Sequence, residues 1–132
     1  GNNRTHMIRV PDKGRFELRL MDGAVNPYLL QAGVIAAGLH GINNKIDPGE
    51  PLFCNMYVDY KNYPNLKKLP NIIEEALEQL ENSKEIREAF GSDTIDSYLK
   101  LKRSEIKDFD QEENFDKKSP VTNWEKNSTL DC

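Results

Sequence analysis

Four charged residues near the start of the chain have the types and spacing to bind an anionic ligand together with a metal ion. Residues 15–20 alternate polar and apolar side chains, so a strand there places Arg15, Glu17 and Arg19 on one face. A guanidinium group binds oxyanions through paired N–H donors, whereas a hard divalent cation prefers carboxylate oxygens. One glutamate among several arginines therefore suits a ligand with anionic oxygens and a bound cation.

A β-hairpin would bring the fourth residue, Arg9, to the same face. Residues 7–10 are predicted to form a short strand, and the Pro-Asp-Lys-Gly sequence of residues 11–14 has the composition of a turn. The hairpin then pairs residues 7–10 with the alternating strand. This pairing would place Arg9 beside Glu17.

A second interpretation is a solvated strand face on which Glu17 pairs with its neighbouring arginines, as surface strands commonly do. Two features favour a ligand instead. The basic residues of the face are arginines apart from Lys13 in the turn, and the strand leads into the most apolar helix of the chain, which predicts a buried setting. One glutamate cannot satisfy three buried arginines.

Composition restricts the class of protein. A chain of 132 residues is one domain in size, and its net charge of −4 argues against a nucleic-acid partner. The longest apolar run, residues 32–39, is far shorter than the roughly 20 residues that span a bilayer, so no membrane partner is expected. Two cysteines, Cys54 and Cys132, favour a reducing compartment and hence a cytoplasmic location. The chain begins without Met, which indicates a piece of a longer protein.

The elements that follow the hairpin are predicted to be helical. Asn26 and Pro27 form a helix start, and the helix is predicted to run to residue 39 or 40 with Gly41 as its C-cap. This helix is apolar nearly all round, which predicts burial, and its small residues predict a close backbone neighbour.

The remainder is predicted to be a loop followed by further helices. Residues 43–68 are predicted to be irregular, and residues 110–119 to be an acidic, mobile insert. Thr122 and Glu125 have the spacing of a capping box, so a short last helix anchored by Trp124 is expected. Other helices are predicted over residues 70–82 and 83–90 and from residue 92 onward. The fold class is therefore α+β, with the hairpin in residues 1–22 and a mostly helical region in residues 23–132.

Four blocks of the sequence resemble the C-terminal part of the glutamine synthetase catalytic domain. They are residues 3–11, 15–19, 22–29 and 36–42, and the resemblance is closest to the type III glutamate–ammonia ligase branch, near the γ-glutamylmethylamide synthetases. The resemblance covers nearly the whole chain, residues 1–132. It implies a ligase that uses ATP to join ammonia to the γ-carboxylate of glutamate through γ-glutamyl phosphate, with Mg²⁺ or Mn²⁺ ions.

The resemblance also implies a role for each charged residue of the hairpin. By position, Glu17 corresponds to a metal ligand, and Arg4 to the catalytic arginine that contacts the transferring phosphoryl group. Arg9 and Arg15 correspond to ATP-binding arginines, and Arg19 to the arginine that faces the glutamate substrate. The other metal ligands of the family precede the matching region, so this chain alone is expected to be inactive. The resemblance further implies that the complete enzyme is a ring-shaped homo-oligomer.

Two other classes of function stay open. One is a non-catalytic helical module that assembles through its apolar faces, with a purely structural arginine face. The other is a small anion- or nucleotide-binding module that acts on its own. Within the ligase interpretation, the amine can be ammonia, methylamine or another small amine, because the residues that would discriminate between them lie outside this chain.

Overall fold

A small sheet precedes a set of helices, and the computed structural model describes residues 5–21, 23–111 and 121–129. This is the predicted α+β arrangement, with one two-stranded antiparallel sheet. The elements are β1 (Ile8–Asp12), β2 (Arg15–Leu18), α1 (Pro27–Asn43), α2 (Met56–Asp59), a 3₁₀ turn (Tyr60–Asn62), α3 (Ile73–Asn82), α4 (Lys84–Phe90), α5 (Ser92–Asp110) and α6 (Asn123–Thr129). No helix within these ranges is long and apolar enough to cross a membrane.

The predicted hairpin is present, but its turn is shorter than expected. β1 continues through Pro11 to Asp12, which leaves Lys13 and Gly14 as the turn. Gly14 has a φ of 77°, a conformation that costs a residue with a side chain more than glycine. The strand register shifts between Arg9 and Asp12, and this irregularity accommodates Pro11, which has no N–H to donate to the ladder.

Helix α1 begins as predicted and ends later than predicted. The Asn26 side chain accepts hydrogen bonds from the backbone N–H groups of Tyr28 and Leu29, at 3.0 and 3.1 Å. The helix passes through Gly41 and ends at Asn43, where the Asn44 backbone N–H donates to the His40 carbonyl oxygen at 3.1 Å. Gly41 permits a helix end without imposing one, so the predicted cap at Gly41 is wrong.

The predicted burial of α1 is also wrong for the described residues. No residue of α1 is buried, and no neighbouring atom lies within 4 Å of a Cβ built on Gly33 or Gly38. The helix packs against α4, while its other faces meet solvent. Large apolar side chains are exposed along it at helical spacing, namely Tyr28, Ile35, Leu39 and Ile42. Apolar composition showed that this helix needs neighbours, but could not show which part of the polypeptide supplies them.

Helices α3, α4 and α5 enclose the buried core. Among the described residues, the buried apolar side chains are Leu77 of α3 and Ile95 and Leu99 of α5, and Leu80, Ile86, Phe90, Tyr98 and Ile106 pack around them. Ser83 caps α4 through a hydrogen bond from the Ile86 N–H group at 3.3 Å. Gly91 ends α4 with a φ of 81°, which allows α5 to begin at the next residue and fold back on α3.

Charged groups fasten α5 to α3 and α4. The two terminal nitrogens of Arg103 donate to the Glu81 carboxylate at 3.0 and 2.7 Å. Arg87 donates to the Glu81 carbonyl oxygen at 2.7 Å and to the Asp96 carboxylate at 2.8 Å. The pKa of Glu81 is lowered, chiefly by the hydrogen bonds from Arg103. These contacts therefore connect α3, α4 and α5 outside the apolar core.

Two remaining segments test the sequence predictions. Residues 43–68, predicted to be irregular, contain α2 and the 3₁₀ turn. The Asn55 side chain caps α2 by accepting a hydrogen bond from the Tyr57 backbone N–H at 3.1 Å.

The predicted capping box is confirmed, because the Thr122 backbone N–H donates to the Glu125 carboxylate at 2.6 Å and the Glu125 backbone N–H donates to the Thr122 hydroxyl at 3.1 Å. Trp124 contacts Phe109 edge to face, with ring centroids 5.6 Å apart. The predicted mobile insert, residues 110–119, lies outside the described residues from 112 onward.

Replacing Leu99 by alanine should destabilise the α3–α5 core. Leu99 is 2% exposed, so Leu99→Ala removes buried methyl groups and leaves a cavity that costs about 2–5 kcal/mol in the free energy of unfolding. Urea unfolding followed by circular dichroism measures the loss. Leu101→Ala is the matched control, because Leu101 lies on the same helix and is 56% exposed. Equal losses for the two variants would contradict the core as described.

The Glu81–Arg103 pair should make the stability of the helices pH-dependent. The folded-state pKa of Glu81 lies below its ordinary value of 4.5, so the pair stabilises fully above that pH and loses its effect as the pH falls through the lowered value. Glu81→Gln should therefore reduce the urea midpoint at neutral pH and have little effect in stronger acid. A midpoint difference that persists unchanged in acid would disprove this role. Glu88→Gln, at an exposed position on α4, is the control.

Candidate anion and metal site on the hairpin

The hairpin register brings the predicted charged residues together. Arg9 on β1 lies directly opposite Glu17 on β2. Arg15 and Arg19 flank Glu17 two residues away on either side, so strand alternation places all three on the same face. The backbone N–H of Arg19 donates to the Met7 carbonyl oxygen at 2.9 Å, so the backbone pairing of the two strands continues past the end of β2. The same-face arrangement predicted from the alternating sequence is confirmed.

One carboxylate group binds all three guanidinium groups of this cluster. Glu17 Oε1 accepts from Arg9 at 2.9 Å and from Arg15 at 3.0 Å. Glu17 Oε2 accepts from Arg19 at 3.0 Å. The pairing expected of a solvated strand face is therefore present. It leaves three positive charges against one negative charge, so the hairpin cluster, defined as Arg9, Arg15, Glu17 and Arg19, attracts anions.

The three ion pairs differ in their exposure to solvent. The side chains of Arg9 and Arg19 are 33% and 26% exposed, whereas that of Arg15 is 68% exposed. The pKa of Glu17 lies below its ordinary value, first because of the hydrogen bond from Arg19 and then because of that from Arg9. The contact with Arg15 has a similar length, but water screens it more strongly. Glu17 is therefore a charged acceptor at neutral pH.

A metal site is only partly built from the described residues. Within residues 5–21, 23–111 and 121–129, no three His, Cys, Asp or Glu side chains lie together as a metal-binding group. The Glu17 carboxylate suits a hard divalent cation, but Mg²⁺ requires about six oxygen ligands. The donor set thus fits one edge of a Mg²⁺ or Mn²⁺ site. The remaining ligands would have to be water, phosphate oxygens or residues outside these ranges.

The predicted site residues fall into two groups. Arg9, Arg15, Glu17 and Arg19 converge, whereas Arg4 lies outside the described residues. The buried setting predicted for the cluster is wrong for the described residues, because the side chain of Arg15 is exposed and those of Arg9, Glu17 and Arg19 are only partly buried. Alternation identifies which residues share a face. It does not identify what covers that face.

Sequence reasoning missed two features away from the hairpin. An apolar cleft of about 460 Å³ lies where α1 meets the core helices, with Leu29, Phe90 and Leu101 among its lining residues. In the segment around α2, the Cys54 and Tyr63 side chains are hydrogen-bonded, which raises the pKa of Tyr63. The cleft joins residues distant in sequence, and no local motif marks the contact between Cys54 and Tyr63.

Comparisons with known proteins identify the family to which this chain belongs. The glutamine synthetase catalytic domain, as a family, matches residues 1–125, so this chain belongs to the glutamine synthetase family. The glutamine synthetase of Rhizobium meliloti (strain 1021) is 48% identical over 131 residues, which are 99% of this chain and 28% of that protein. The resemblance seen in the sequence is confirmed.

Two further comparisons point to a neighbouring branch of the family. The glutamate–methylamine ligase of Methyloversatilis universalis is 42% identical over 135 residues, covering 99% of this chain and 28% of that protein. A solved structure described as a GmaS/ADP complex superposes with a TM-score of 0.76 at 43% identity, over 100% of this chain and 28% of that one. This chain therefore spans little more than a quarter of the length of these relatives.

The arginines should contribute unequally to the charge state of Glu17. Arg19→Gln should raise the pKa of Glu17 more than Arg15→Gln does, because the more exposed Arg15 pair is screened by water. Carboxyl ¹³C NMR titration in a chelating buffer measures both pKa values. Equal increases in the pKa of Glu17 in the two variants would show that the difference in solvent exposure does not make the Arg19 pair stronger than the Arg15 pair.

Proposed function

We propose that this chain is the C-terminal part of an ATP-dependent ligase that joins ammonia to the γ-carboxylate of L-glutamate. The observation that carries the proposal is the convergence of three guanidinium groups on the Glu17 carboxylate, in a chain of the glutamine synthetase family. The reaction transfers the γ-phosphoryl group of ATP to glutamate, and ammonia then displaces phosphate from γ-glutamyl phosphate. Both steps develop negative charge on phosphate oxygens, which guanidinium groups stabilise.

Each charged residue has a proposed role in this reaction. Arg9 and Arg15 bind the phosphates of ATP, and Arg19 binds the glutamate substrate. Glu17 is one ligand of a Mg²⁺ or Mn²⁺ ion, which would neutralise phosphate charge when bound. Arg4 contacts the transferring phosphoryl group. The excess of positive charge around Glu17 supports these assignments, because an anionic ligand would balance it.

The proposed activity belongs to a longer polypeptide. One carboxylate cannot provide the ligands that a divalent ion needs, so the 132 residues alone should be inactive. The coverage of 28% of the Rhizobium meliloti protein supports this proposal. We further infer that the hairpin of residues 1–22 forms the site, and that residues 23–132 form a helical region behind it. A ring-shaped homo-oligomer and a cytoplasmic location stay predictions.

A second candidate is the synthesis of γ-glutamylmethylamide or another γ-glutamyl amine. It is favoured by the similarity to glutamate–methylamine ligase and to the GmaS structure. Both candidates use the same phosphoryl chemistry and differ only in the amine that attacks γ-glutamyl phosphate. The hairpin cluster contains no group that would distinguish the two amines.

Turnover by the full-length polypeptide tests the proposal. Phosphate release from ATP should require glutamate and an amine, and comparing ammonia with methylamine identifies the preferred amine. Glu17→Gln keeps the side-chain shape and removes the charge, so the rate should fall on the order of 100-fold. Glu88→Gln, at an exposed position on α4, should keep the full rate.

The possible results separate the candidates. A preference for ammonia supports glutamine synthesis, and a preference for methylamine supports the second candidate with the same site. Unchanged turnover in Glu17→Gln would disprove the site assignment. Turnover by the 132 residues alone would disprove the proposal that the site needs residues outside them.

A further inference from the structure

We draw no further inference here: the strongest candidate, the apolar cleft where α1 meets α3, α4 and α5, carries nothing because nothing in the structure shows what covers it.

Discussion

The shared carboxylate of Glu17 is the interaction on which the candidate site depends. Three arginines on one small hairpin would repel one another, and Glu17 offsets that repulsion while fixing where their guanidinium groups lie. The pairing of the two strands makes this contact possible, because the register places Arg9 opposite Glu17. A slip of one residue between the strands would put Arg9 on the face opposite Glu17, Arg15 and Arg19, and would break the Arg9–Glu17 pair. The strand register therefore determines whether the Arg9–Glu17 ion pair can form.

An apolar core, and not a charged cluster, stabilises the region of helices α3, α4 and α5. Leu77, Ile95 and Leu99 give it a small apolar centre, and charged pairs at the rim orient the helices. The described residues contain few contacts that connect the hairpin to this region. The hairpin is ordered by its backbone pairing together with the ion pairs on one face, whereas the helices are ordered mainly by apolar burial.

Local patterns predicted the features whose causes are local. Alternation in residues 15–20 placed the charged cluster on one face, and the spacing of Thr122 and Glu125 predicted the capping box. Features with distant causes were predicted less well. Gly41 permits a helix end, but the next residues continue the helix. The apolar composition of α1 predicted burial, whereas burial also requires a neighbour that composition cannot supply. The site shows the same limit, because the local sequence placed Glu17 but no metal-binding group forms around it within the described residues.

The exposed stripe of α1 also governs how the chain behaves in solution. Tyr28, Ile35, Leu39 and Ile42 expose apolar side chains to water on one side of the helix. Salts such as sulfate strengthen the burial of apolar surface, while they screen the ion pairs that organise the hairpin. A single change of buffer therefore acts in opposite directions on the two halves of the chain. High sulfate therefore strengthens the tendency of this apolar stripe to be buried and weakens the arginine cluster, whereas low ionic strength does the reverse.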